Sequence, residues 1–90
     1  INDAGAQIDK LGYSFKIRCM QQLGMDAAFP EEGYVGDYLI DLAHRALLED
    51  RARIDKNLQQ NNLEFFSTYA KDHLLAQIKQ TLTAYGITFD

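Results

Sequence analysis

Ninety residues have room for one domain with one core, burying roughly 60–65% of the unfolded surface, and a second domain is excluded. A composition that is 47% hydrophobic and 24% charged, with a single Pro, excludes a disordered tail. The net charge of −4, with basic residues scattered along the chain, excludes a domain held to nucleic acid by bulk electrostatics.

The chain opens with "INDAGAQID", in which apolar Ile1 is followed by residues that turn a chain or begin a helix. It reads as a strand-to-helix corner that lacks its strand. From about Ala6 to Leu23, apolar residues recur at Ile8, Leu11, Phe15, Cys19 and Leu23, with Asp9, Lys10, Lys16, Arg18 and Gln21 between them. That is helical spacing with one face inward and one wet, and Gly24 stands where a left-handed cap ends such a helix. Cys19 falls on the apolar stripe, so a small buried hydrophobe is expected there rather than a reactive thiol. As the only cysteine it excludes an internal disulfide and a cysteine-clustered zinc site, which fits a reducing cytoplasm.

"MDAAFPEEGYVG" follows as a structured loop, with Phe29 and Tyr34 as apolar anchors and Gly33 free to take positive φ. The spacing in "DYLIDLAHRALLED" predicts a second helix over 37–49, with Asp37 at the positive end of its dipole. "DRARIDKNLQQNN" has only Ile54 and Leu58 as anchors and is expected to be frayed helix or linker. A third helix is predicted over 62–85, its stripe formed by Leu63, Phe66, Ala70, Leu74, Ile78, Leu82 and Tyr85. Lys71 and Lys79 on it are expected as solvated decoration. Beyond it, Gly86 stops the helix and "ITFD" reads as the start of another strand. The expected architecture is mainly α: a single helical domain over 1–90, a small three-helix antiparallel bundle with short strand remnants at its ends, inserted in a larger α/β protein.

Catalytic constellations are absent from the sequence. His44 and His73 belong to no HxxxH or HxxE pair, and Asp37 and Asp41, one turn apart, have no third ligand. There is no phosphate-cradling glycine loop and no nucleophile elbow. No apolar run approaches the ~20 residues of a membrane span, so no membrane partner is expected.

Three stretches in order carry a resemblance: "NDAGAQI" at Asn2 to Ile8, "PEEGYVGDYLIDLA" at Pro30 to Ala43, and "LEFFSTYAKDHLLAQIKQTLTAYGITFD" at Leu63 to Asp90. Together they resemble bacterial arginyl-tRNA synthetase, in the region that follows the HIGH signature of its catalytic nucleotide-binding fold. Asn2, Asp3, Gly5 and Gln7 match the first motif. Pro30, Gly33, Tyr34, Gly36, Asp37 and Tyr38 match the second, and Phe66, Tyr69, Ala70, Ile78, Gly86, Phe89 and Asp90 the third. Ala6 departs from the larger polar residue of many relatives, and residues 49–61 carry no signature.

The resemblance implies a parent enzyme that activates arginine with ATP, together with Mg, and transfers it to tRNA. The HIGH and KMSKS segments on which such chemistry rests do not occur in these 90 residues, so the segment is expected to be catalytically silent, with no cofactor of its own. Its implied partner is the remainder of the synthetase catalytic domain, and faces packed there would favour self-association when uncovered. Asn2, Asp3, Gly5 and Gln7 are then expected to support the substrate pocket, or else Asn2 and Asp3 merely cap the first helix. Gly33, Tyr34, Gly36, Asp37 and Tyr38 are expected to form a turn locked by tyrosine packing, or a surface near the tRNA acceptor end. The rival expectation is a stand-alone helical interaction module.

Overall fold

The computed structural model describes residues 4–30, 33, 37–84 and 86. Among them are four helices and no strand: α1 (Ala4–Gln22), α2 (Tyr38–Glu49), α3 (Arg51–Gln59) and α4 (Leu63–Ala84). The all-α class follows from the apolar spacings. The expected strand remnants, and Tyr85 of the third predicted stripe, lie outside the described residues.

Three predicted helices become four because residues 51–59 are helical rather than frayed or linker-like. Nine residues are too few for a helix to persist in water alone. Here Ile54 is fully buried in the common core, Leu58 packs against it, and Arg51 pairs with Asp55 one turn on. Asn61 ends the helix at φ 53°, with its amide bonded to Leu58 O at 3.2 Å and that of Asn62 to Asn57 O at 3.0 Å. This is a Schellman turn with Asn in the left-handed position. Asn62 then accepts from the Phe65 amide at 3.4 Å and starts α4.

Helix α1 ends by the same device. Gly24 has φ 82°, its amide donates to Gln21 O, and Met25 donates to Met20 O at 2.9 Å. Along α1 the buried arc is wider than the stripe of Leu11, Phe15 and Cys19, and includes Gly12, Ser14 and Ile17. The reason is that α1 packs on both α4 and α2. Ser14 satisfies its buried hydroxyl by donating to Lys10 O at 2.7 Å.

The core joins Leu11, Phe15 and Cys19 of α1 to Leu39, Leu42, Ala43 and Ala46 of α2, Ile54 of α3, and Phe66, Tyr69 and Ala70 of α4. Aromatic rings fill its centre. Phe15 lies parallel to Tyr69 at 5.4 Å and tilted on Phe66 at 5.9 Å. These contacts require α1 and α4 to approach very closely, and Gly12 allows it. A Cβ on Gly12 would stand 2.1 Å from Ser67 Oγ, 2.5 Å from its Cα and 2.6 Å from its N.

Two substitutions at this contact separate main-chain from side-chain effects. Gly12→Ala gains about 1 kcal/mol in helix propensity, but overpacking against main chain typically costs about 1–3 kcal/mol or more. A net loss of stability in urea unfolding is expected. Ser67→Ala removes a buried hydroxyl that has no hydrogen-bond partner, so stability should hold or rise by about 1 kcal/mol.

Candidate functional site

Of the residues singled out in the first motif, Gly5 and Gln7 lie exposed on the first turns of α1, while Asn2 and Asp3 fall outside the described residues. In the second group, Tyr34 and Gly36 also fall outside them. Gly33 is buried, but not for the reason expected. It is not among the glycines with positive φ. Its place is fixed by crowding instead, because a Cβ there would meet the Phe29 ring at 2.7 Å and Pro30 Cγ at 2.8 Å. The Gly33 amide closes the turn on Pro30 O at 3.0 Å.

Phe29 is itself clamped. The Arg18 guanidinium stacks over its ring, 3.9 Å from the centroid, and Arg18 Nη1 donates to Gln21 Oε1 at 3.1 Å. Gln21 Nε2 in turn donates to Ala27 O at 3.0 Å. The sequence pattern puts Arg18 on the wet face; in the fold it is half-buried and anchors the loop. Asp37 is the N-cap residue of α2, exposed and making no side-chain cap bond. Its carbonyl accepts from the Asp41 amide, and Asp41 is also exposed. Tyr38 packs against the core and borders a groove between α2 and α4 with Asp41, His44, Arg45 and His73.

A second polar constellation lies on the other side of His73, in a cleft lined by Asp50, Arg53, Glu64, Phe65, Tyr69 and Asp72 among others. Asp50 is the single residue between α2 and α3. Its Oδ2 accepts from the Tyr69 hydroxyl at 2.8 Å, while Arg53 stands 3.7 Å from Oδ1. His73 stacks on the Tyr69 ring at 4.3 Å, and its Nδ1 is 2.8 Å from Tyr69 O, which makes Nδ1 the donor. Spacing along α4 places Tyr69 and His73 one turn apart and so forecasts their contact. Nothing in the sequence forecasts that Asp50, 19 residues away, would meet Tyr69.

Burial, with the adjacent Asp50 bond and charge, raises the Tyr69 hydroxyl well above the usual tyrosine range. Burial alone pushes the Cys19 thiol up to about 12. Both groups therefore stay protonated at neutral pH, and neither is available as a nucleophile. Among the described residues no group of three or more His, Cys, Asp or Glu is placed to hold a metal ion. No described helix is long and apolar enough to cross a membrane.

The described surface carries a polar cleft, and the sequence is similar to that of known proteins. Along its whole length the chain is 42% identical to the arginine–tRNA ligase of Citrifermentans bemidjiense, 39% to that of Syntrophotalea carbinolica and 34% to that of Oceanobacillus iheyensis. The likeness is to one segment of these arginine–tRNA ligases: the chain spans 16% of the length of each of these relatives. No protein-family model and no solved structure matches it.

Two measurements test the polar network. Tyr69→Phe should cost about 1 kcal/mol, the usual worth of a hydrogen bond to a partly solvated carboxylate. A double-mutant cycle with Asp50→Ala should return most of that as coupling. The second concerns pH. An unfolded Cys19 loses its proton near 9.0, whereas the folded one keeps it to about 12. The native state thus holds more protons in that window, and stability falls as pH rises through it. The urea midpoint should decline above pH ~9, and Cys19→Ala should delay the decline toward the range where Tyr69 begins to contribute.

Proposed function

We propose that these 90 residues form a supporting helical insertion of an arginine–tRNA ligase, placed after the HIGH signature of its catalytic domain. The observation that carries this reading is identity of 34–42% over the full chain with proteins of that name. The parent joins arginine to its tRNA at the expense of ATP with Mg, in the cytoplasm. Its partners are arginine, ATP, tRNA and, for this segment, the rest of the catalytic domain.

The segment contributes no reacting group. HIGH and KMSKS lie elsewhere in the parent, and within the described residues the hydroxyl and thiol raised in pKa are engaged in packing. Its role is to present the ends of α1 and α2. Asn2, Asp3, Gly5 and Gln7 support the substrate pocket. Gly33 packs on Phe29, which Arg18 of α1 clamps, and Asp37 and Tyr38 begin α2; fixed flanks of this kind suit a surface beside a tRNA end. The independent interaction module is not favoured, since the relatives share one ligase name.

Arginine-dependent ATP–pyrophosphate exchange with cognate tRNA present should be found in the full-length parent of the same gene. The 90-residue chain alone should give none. An inactive parent would overturn the family function. Within an active parent, Asp3→Ala should lower kcat/KM for aminoacylation by about tenfold or more at unchanged Tm; a lowered Tm with intact rate constants would assign Asp3 to helix capping instead.

A further inference from the structure

Helix α4 is two different helices in terms of burial. Phe66, Ser67, Tyr69 and Ala70 are buried, and beyond Ala70 no residue of the helix is. Leu75 is 57% exposed and Ile78 44%, while Leu74 and Leu82 are half-buried. At about 100° per residue, Leu74, Leu75, Ile78 and Leu82 fall within one arc of about 100°. Tyr38 flanks that arc, lining a shallow groove with Leu74 and Ile78.

From Leu74 to Ala84 the sequence carries one charge, Lys79. A helical stretch of this length that meets the segment's own core only at Leu74, on its first turn, is marginal in water, and phosphate binding would call for a row of cations rather than one. An apolar, almost uncharged face of this kind is suited to another protein surface.

We propose that the face formed by Leu74, Leu75, Ile78 and Leu82 is where the remainder of the parent ligase docks on this segment, in the same polypeptide. This rests on the parent reading given above. Relatives about six times the length of the chain supply the covering surface, and the neutral face calls for an apolar partner rather than a charged one.

Peptide-resolved hydrogen exchange on the full-length parent tests it. Amides of 74–84 should exchange within about tenfold of those of 63–70, without tRNA and independently of protein concentration. Faster exchange than that overturns the proposal. Protection that appears only on adding tRNA overturns it in favour of nucleic acid, and protection that grows with concentration does so in favour of a second copy. Ile78→Asp should then release the protection of 74–84 while Ile78→Leu retains it; equal protection in both would also overturn the docking. Aminoacylation measured on the same sample keeps the two readings apart. Activity with unprotected 74–84 removes only the docking face, and absence of activity removes the parent function whatever the exchange.

Discussion

The contact of Gly12 with the main chain of Ser67 is the constraint on which the fold is built. Only at that separation does Phe15 reach both Phe66 and Tyr69. Tyr69, once seated, extends its hydroxyl to Asp50 and so fixes the corner between α2 and α3. Ile54 then enters the core from α3 and completes it. A hydrophobic stripe alone would have permitted many helix pairings. A missing side chain at one position, against a small one at the other, selects among them.

Polar groups serve the same end. The Tyr69 hydroxyl and the Cys19 thiol are raised in pKa and held protonated, and the Arg18 guanidinium spreads over Phe29 instead of facing solvent. Functional groups that could do chemistry elsewhere here hold helices and a loop in place. That is in keeping with the supporting role proposed above.

Much of this was legible in the sequence. The α1 stripe and its Gly24 stop, the α2 stripe and the start of α4 all follow from periodicity and cap chemistry, which are local. Helix α3 was not legible, because two anchors in nine residues are too weak a pattern and its stability comes from packing by other elements. Gly33 was recognised as a necessary glycine but for backbone freedom, whereas the ring of Phe29 is what excludes a side chain. Arg18 was misplaced because helical periodicity assigns a face without knowing that a loop will fold over it. The pairing of Asp50 with Tyr69, and the close approach at Gly12, depend on tertiary geometry that no spacing encodes. Of the residues singled out for a site, Gly5 and Gln7 lie exposed on the first turns of α1, while Gly33 and Tyr38 are drawn into packing.

The corner at Asp50 has a bearing on how such a segment can vary. With α2 ending at Glu49 and α3 beginning at Arg51, one residue makes the whole connection, and that residue also accepts the Tyr69 hydroxyl. Asp50 is not helical, so an inserted residue here would change the direction and position from which α3 leaves the corner, displacing Ile54 from the core or Asp50 from its partner. Deletion would do the same. The corner thus couples chain length to packing: it has no spare residue to absorb a change in length without moving either Ile54 or the Asp50–Tyr69 pair.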